Sequence, residues 1–410
     1  MPRRVVITGV GLVTALGSGA DHVLDELLAC RSGIRPVEVE GIGEIPAARV
    51  PDADSDAEER FGRRVARRMD RASRLAAIAA DDALRDAGPL ELDPGRVGAA
   101  VGSAHGGAAT IAQGQTTLEQ RGADRVGPLT IPLGLVNAPA ASVARTAGLR
   151  GPSLAPATAC AAGADAVGQA LILIREGRAD AMVAGGADAP LVPVVVAGYL
   201  SSGALAPADA RPAESVSRPF DVGRSGFVIG EGAAALVLEE RERALARGAR
   251  IYAELVGYGA SCDAGHLTDP EPEGIGPGVA IATALADAAL VAEDVEVVSA
   301  HATSTTAGDR AEARALAKAG LADAAVFAAK GAVGHALGGA GAIEAALSAL
   351  AVARGAVPPT LNLETTEEDD PLRSHVREPR IGEVTTVAST SFGFGGANAC
   401  LILRRDGAAG

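Results

Sequence analysis

From Pro156 to Asp188 the chain reads PATACAAGADAVGQALILIREGRADAMVAGGAD, and this stretch restricts the fold more than any other. Ser153 to Pro156 is an extended, proline-punctuated approach. Ala161, Ala164, Val167, Ala170, Leu171 and Ile174 then recur at helical spacing. Gly177 and Arg178 stop that helix, and Ala181 to Ala184 reads as a short buried strand. Cys160 stands where the approach meets the helix. A thiol in the first turn of a buried helix faces the positive end of the helix dipole, which favours thiolate. Cys160 is either a packed core residue or a nucleophile. Its small neighbours Thr158, Ala159, Ala161, Ala162 and Gly163 leave space around the sulfur and favour the nucleophile.

Composition narrows the setting. Only 2% of residues are aromatic, 52 are glycine and 48% are hydrophobic, so the core has to be Ala, Val, Leu and Ile with close backbone approaches. At 410 residues the chain holds one large domain or two fused halves. A net charge of −14 argues against nucleic acid as a partner. Cys30, Cys160, Cys262 and Cys400 show neither metal spacing nor a disulfide framework, which fits a reducing compartment. Met1 to Arg4 leads into a strand rather than a signal peptide, and no apolar run is long enough to cross a membrane. A soluble, cytoplasmic protein without membrane attachment is expected.

Strands expected at Val5–Thr8, Val97–Gly102, Ala233–Leu238, Ile251–Tyr258, Val295–Ala300, Ala324–Ala328, Val384–Ser389 and Ala399–Leu403 alternate with helical runs such as Ala72–Ala87, Gly276–Ala289, Asp309–Ala319 and Gly341–Ala353. That alternation means an α/β protein with helix-covered sheets. Gly9 to Leu12 is expected to turn, and its GxG lacks the third glycine and the acidic residue of a dinucleotide site. A small-residue turn opens a long Ala-rich helix twice, at Cys160 and at His335, which suggests a duplication into halves 1–249 and 250–410. Residues 51–59 read as an acidic loop. Beyond it Arg60, Arg64, Arg67, Arg68 and Arg71 fall on one helical face, either solvated or a dock for an acidic protein or phosphate.

Three polar stretches follow strands: Cys160, His301 to Thr305, and Lys330 to His335. Strand ends are where open α/β sheets place their sites. A cysteine with two histidines allows a protease-like pair, a metal site or a carbon–carbon bond-forming thioester enzyme. No ligand pair has the tight spacing of a metal site, and a protease would leave one histidine idle. In the third reading Cys160 carries an acyl group and two neutral imidazoles stabilise an enolate. Lys330 would hold His335 in place and help set protonation states.

The segments TACAAG at Cys160, AHATST at His301, KGAVGHALGGAGAIE from Lys330 and SFGFGGANA from Ser391 resemble those of β-ketoacyl-acyl carrier protein synthases of the type II (elongating) class, in the thiolase superfamily. SRPFDVGRSGFVIGEG from Ser217 and IYAELVGYGASCDAGHLTDP from Ile251 extend the resemblance nearly end to end. It implies a duplicated, five-layered αβαβα thiolase-like fold and an obligate dimer, with itself or with a paralogous chain-length factor. It also implies acyl transfer from an acyl carrier protein, followed by decarboxylative Claisen condensation with malonyl-carrier protein. Cys160 would be the nucleophile, His301 and His335 the decarboxylating pair, and Lys330 the supporting lysine with Glu344 as its partner. The N–H groups of Cys160 and Phe394 would form the oxyanion hole, with Phe394 also gating the acyl pocket. Thr303 and Thr305, helped by Thr268, would bind the phosphopantetheine carried by the partner, with no tightly bound cofactor and no metal. Arg64, Arg67 and Arg68 would be the carrier-protein dock.

The departures concern the acyl chain. Ala302 replaces the usual glycine, Gly331-Ala332-Val333 the usual Ser-Met-Thr, and Ala397 a threonine. His105 and Tyr199 stand at apolar acyl-pocket positions, where His105 is either a turn residue or a change in pocket shape and polarity. With PLVPVVVAGYL from Pro190, these lean toward type II polyketide ketosynthases. His266, His375, Cys262 and Cys400 read as structural or surface residues. A non-catalytic chain-length-factor subunit typically lacks the nucleophile, which this chain retains. A thiolase or other non-decarboxylating acyltransferase would need a second cysteine as base, and Cys400 lies within the last strand.

Overall fold

Runs of Val, Ile, Leu and Ala that can be buried on both faces become strands, and here they join one large sheet. In the computed structural model, which describes residues 3–207 and 211–408, the principal strands are Val5–Thr14 (β1), Val97–Gly102 (β2), Ser153–Leu154 (β3), Ala181–Asp188 (β4), Gly232–Glu240 (β5), Ala253–Cys262 (β6), Val297–Ser299 (β7), Ala325–Phe327 (β8), Thr386–Phe392 (β9) and Ala397–Arg404 (β10). Their order is β8-β7-β9-β10-β6-β1-β5-β4-β2-β3, with Gly17–Ser18 paired off β1. Residues 208–210, within the proline-rich loop that the sequence shows between Pro207 and Pro219, lie outside the described residues, as do Met1 and Pro2.

The order repeats outward from a seam where β1 and β6 pair antiparallel, Val6 with Glu254 and Ile7 with Ala253. From β1 the junctions β1-β5 and β5-β4 are antiparallel, and β4-β2 and β2-β3 parallel. From β6 the junctions β6-β10 and β10-β9 are antiparallel, and β9-β7 and β7-β8 parallel. Among the helices of the described residues are Arg71–Ala87 (α1), Ala108–Arg121 (α2), Ala138–Ala147 (α3), Ala162–Arg175 (α4), Pro193–Ser201 (α5), Ile275–Asp287 (α6), Thr306–Lys318 (α7) and Ala340–Arg354 (α8). Helices α1 and α3 cover one arm, and α6 and α7 the other. Helices α4 and α8 lie between, each touching strands of both arms. The result is the five-layered αβαβα architecture of the thiolase-like fold.

The two inner helices meet backbone to backbone. A Cβ on Gly163 would stand 2.8 Å from the Ala342 nitrogen and the Gly338 oxygen, and one on Gly341 would stand 2.8 Å from the Ala164 nitrogen. Only glycine permits that approach. In α8 every residue from Ala340 to Val352 is buried. Contrary to the sequence expectation, Leu337–Arg354 is long and apolar enough to cross a membrane by length and composition. Its apolarity comes from being the inner layer of the protein.

Three local expectations are corrected. β1 runs unbroken through Gly9–Leu12 instead of turning. Gly9 and Gly11 serve close packing on α1, since a Cβ on them would lie 2.1 and 1.9 Å from the oxygens of Ala83 and Ala79. The acidic loop is largely the helix Ala53–Phe61, with Asp54 and Asp56 in its first turn and Arg60 in its last, as the helix dipole favours. Gly62, at φ +80°, then breaks the chain, so the five arginines do not share one helix. Arg60 turns inward to Asp56, Asp81 and Asp82, and Arg71 to Glu231.

Because a side chain at Gly341 must push two backbones apart, Gly341→Val is expected to cost about 1–3 kcal/mol of stability, the usual range for overpacking. Urea denaturation checks it. A midpoint equal to that of the parent would remove this helix contact as a constraint on the fold.

Candidate active site

Cys160 sits in a one-turn segment, Ala159–Ala161, that leads straight into α4. Its predecessor Ala159 has φ +50°, a region that residues with a Cβ avoid. His335 is held by its backbone: its N–H donates to the Val228 oxygen (2.8 Å) and its oxygen accepts from Gly230 N–H (2.9 Å). His335 Nε2 lies 3.1 Å from Cys160 Sγ. His301 follows β7, and its ring is nearly perpendicular to that of His335, with centroids 5.3 Å apart. The sulfur and the two imidazoles offer atoms all within 4.8 Å of one another. All three residues are buried, Cys160 at 8% exposure, His301 at 6% and His335 at 2%.

Lys330 corrects a sequence expectation. Its ammonium reaches His301 rather than His335, donating to the His301 carbonyl oxygen (2.5 Å) and standing 3.3 Å from His301 Nδ1. Lys330 starts the turn that ends in His335, and from there its side chain points across to the end of β7. It also pairs with Glu344 of α8. Glu312, which sequence reasoning missed, accepts from the N–H groups of His301 (2.8 Å) and Ala302 (2.6 Å) and from the Thr390 hydroxyl (2.7 Å). No local spacing signals that role, because Glu312 looks like any acidic residue of α7.

Electrostatics at the site follow burial. Desolvation pushes the Cys160 thiol up to about 12, against the opposing charge of Lys330 and the Phe394 N–H directed at the sulfur. Burial, then the Lys330 charge, holds both imidazoles well below the ordinary histidine range. The resting site is therefore a thiol beside two neutral rings, not the thiolate that the helix dipole alone would favour. Burial pushes the Glu344 carboxyl up, and Lys330 opposes it. Lys330 donating to His301 Nδ1 leaves the proton of that ring on Nε2. His335 Nδ1 has no hydrogen-bond partner among the described residues, so that ring is free in its tautomer.

A cavity of about 330 Å³ opens from Cys160, His301 and His335 past Phe394, Thr303 and Thr305 to Thr268 at an exposed loop. The Thr303 and Thr305 hydroxyls are 3.0 Å apart, and Thr305 caps α7 through Gly308 N–H. Tyr199 of α5 forms another wall, its ring 5.3 Å from that of Phe227 and 6.2 Å from that of Phe394. Behind it, His105 Nε2 lies 3.2 Å from the Tyr199 hydroxyl, so the histidine backs a cavity wall rather than only forming a turn. Asp188, fully buried, accepts from Ser103 Oγ and from the N–H groups of Ala104, His105 and Gly338, which ties that turn to the start of α8. Cys400 is buried in β10, Cys262 and His266 are exposed, and His375 pairs with Asp370. The Asp54 side of the arginine segment is paired, whereas Arg64, Arg67 and Arg68 are exposed. Arg64 and Arg68 border an open depression with Arg145 of α3, whose separation in sequence hid it.

Comparison with known proteins gives consistent relatives. The family model "Beta-ketoacyl synthase, N-terminal domain" matches residues 2–244, and "Beta-ketoacyl synthase, C-terminal domain" matches residues 252–364. The 3-oxoacyl-[acyl-carrier-protein] synthase 2 of Synechocystis sp. is 40% identical over 410 residues, 98% of each chain. That of Rhizobium meliloti is 42% identical over 420 residues, 98% of this chain and 99% of the other. Among solved structures, the ishigamide ketosynthase/chain length factor aligns with a TM-score of 0.91 at 36% identity, covering 99% of this chain and 100% of that one. A type II polyketide synthase acyl-carrier protein in complex with its ketosynthase bound to the hexaketide, AntDE:AntF, aligns with a TM-score of 0.88 at 31% identity, over 99% and 100% of the two chains.

The resting thiol gives a pH prediction. Alkylation of Cys160 by iodoacetamide needs thiolate, so its rate should still be climbing above pH 9, toward about 12. A rate already level near pH 7 would show a resting thiolate instead.

Proposed function

Because the chain belongs to the β-ketoacyl synthase family, we propose that it is a β-ketoacyl-acyl carrier protein synthase whose nucleophile is Cys160. The observation that carries the residue assignment is the convergence of one sulfur and two imidazoles within 4.8 Å at the end of a 330 Å³ cavity.

The geometry divides the reaction into two halves. In the first, an acyl thioester on phosphopantetheine enters past Thr268 and lies against the Thr303 and Thr305 hydroxyls. Cys160 Sγ attacks the carbonyl carbon as its proton passes to His335 Nε2. The new oxyanion is held by the N–H groups of Cys160 and Phe394, donors of a type worth about 10²–10³ in rate. Collapse breaks the bond to the pantetheine sulfur, which takes the proton from His335. In the second half, the malonyl thioester oxygen accepts from Nε2–H of His301 and of His335. Carbon dioxide leaves, the enolate carbon attacks the acyl-Cys160 carbonyl, and the carbon–sulfur bond breaks. One proton from solvent restores the thiol. Phosphopantetheine is supplied by the carrier protein, and the mechanism uses no resident metal.

The exposed Arg64, Arg67 and Arg68, joined by Arg145, form the dock for an acidic carrier protein on a chain of net charge −14. Helix α2 has no buried residue, and Ile111, Leu118, Leu129, Ile131 and Leu135 along and beyond it are exposed. A second subunit covers this apolar face, either a copy of the chain or a paralogous chain-length factor. The repeated arms of the sheet favour two halves, 1–249 and 250–410. The polar Tyr199–His105 wall favours polyketide or other specialised acyl chains over plain fatty acyl chains. The retained Cys160, His301 and His335 weigh against a non-catalytic partner subunit. A cytoplasmic location follows from the carrier-protein substrate.

Offered radiolabelled acyl-carrier protein, the protein is expected to label at Cys160, and to release carbon dioxide when malonyl-carrier protein is added. An unlabelled Cys160 would favour the partner-subunit reading, and label without carbon dioxide a non-decarboxylating acyltransferase. Arg67→Glu with Arg68→Glu should raise KM for carrier protein while leaving Cys160 alkylation unchanged. Unaltered kinetics in that variant would remove the dock.

A further inference from the structure

One buried carboxylate ties the turn of the nucleophile to a strand of the opposite arm. Thr158, two residues before Cys160, donates its hydroxyl to Asp165 Oδ2. Tyr258 of β6 donates its phenol to Oδ1 of the same carboxylate at 2.7 Å, across 93 residues of sequence. With an O–H donor on each oxygen, Asp165 serves purely as acceptor. It lies in the first turn of α4 and is 7% exposed.

Tyr258 reaches this position because Gly168, one turn further along α4, leaves it room. A Cβ there would stand 2.3 Å from the tyrosine ring. The far end is anchored as well. Tyr258 N–H donates to Asp287 Oδ2 at 3.0 Å, and Asp287 pairs with Arg175 at the end of α4. One helix is therefore gripped by the same strand at both ends.

What is gripped is strained. Ala159, between Thr158 and Cys160, has φ +50°. A residue with a Cβ stays there only when its surroundings over-determine it. Gly393 closes the other side of the turn, since a Cβ on it would lie 2.8 Å from the Thr158 oxygen and 3.1 Å from the Cys160 nitrogen. If Ala159 relaxed, the peptide before Cys160 would rotate, and the sulfur would leave His335 Nε2 and the Phe394 N–H.

We propose that Thr158, Asp165 and Tyr258 are positioning residues that hold the Ala159 strain, so that Cys160 Sγ faces His335 and the oxyanion donors. They act on the sulfur alone. None of the hydrogen bonds of the three goes to His301, His335 or Lys330 among the described residues. The triad therefore serves acyl transfer and not decarboxylation, a division that rests on the ketosynthase reading above.

Thr158→Val keeps the shape and removes the donor, Thr158→Ser keeps the donor, and Tyr258→Phe keeps the ring on Gly168. Three rates are measured on the full chain: Cys160 alkylation by iodoacetamide, single-turnover acylation from acyl-carrier protein, and carbon dioxide release from malonyl-carrier protein alone. Thr158→Val is expected to slow alkylation and acylation about tenfold, the kinetic equivalent of one hydrogen bond to a charged group. Thr158→Ser should recover most of both, Tyr258→Phe should lose several-fold, and carbon dioxide release should stay at the parental rate. Parental alkylation in Thr158→Val, or equal losses in the Ser and Val variants, overturns the proposal. So does carbon dioxide release that falls in step with acylation, which would mark a general scaffold effect. If Thr158→Val does not fold, Tyr258→Phe decides by the same criteria. Should the parent neither acylate nor decarboxylate, the ketosynthase reading fails, while the alkylation series still tests the triad.

Discussion

The contact of α4 with α8 at Gly163 and Gly341 is what everything else in this protein depends on. Cys160 lies just ahead of α4, and His335 lies one short turn ahead of α8. Bringing the two helix starts together at backbone distance brings sulfur and imidazole together, although 175 residues separate them in sequence. Larger side chains at the crossing would move both reactive groups apart at once. The scarcity of aromatic residues and the abundance of glycine and alanine are the compositional trace of this crossing, because helices packed at that distance have no room for rings.

Burial of the crossing also decides the protonation of the site. A helix dipole contributes typically 0.3–1 kcal/mol, and about 2 kcal/mol in the best partly buried geometries. Raising a thiol from 9 to about 12 corresponds to about 4 kcal/mol, at 1.36 kcal/mol per tenfold change. Desolvation wins, so the dipole cannot hold a resting thiolate. On the proposed mechanism, the thiolate character needed for attack would arise only as the substrate carbonyl arrives and His335 takes the proton. A neutral reacting set has a further consequence: the Lys330 ammonium, with the buried carboxyls of Glu344, Glu312 and Asp188 around the site, stands one layer back from the reacting atoms.

Much of this was legible in the sequence, and the misses share a cause. Periodicity located the inner helices, the strand ends and the small-residue turns, because those patterns are local. It misread Gly9 and Gly11 as a turn, since a glycine that admits a neighbouring helix looks identical to one that bends the chain. It placed five arginines on one face because helical spacing does not reveal the break at Gly62. It sent Lys330 to its neighbour in sequence, His335, whereas the ammonium crosses to His301. Glu312, Asp165 and Tyr258 were invisible for the same reason. Their partners are chosen by the packing of the two arms, and nothing in a window of sequence encodes that choice.

The two imidazoles look equivalent in sequence, each a histidine among small residues after a strand, yet the fold treats them differently. Lys330 fixes His301 as an Nε2–H donor by occupying its Nδ1 side, and Glu312 fixes its backbone. His335 is held through its backbone and by its ring against Phe227 and Cys160, while its Nδ1 is unpartnered among the described residues. Were both rings pinned as donors, the Cys160 thiol would face no base. Were both free, the developing enolate oxygen would meet no preset donor and would bear the cost of orienting one in the transition state. On the proposed mechanism, one pinned ring and one free ring would serve both half-reactions with the same two residues. The asymmetry traces back to where Lys330 leaves its turn: close enough in sequence to accompany His335, and aimed at the other histidine.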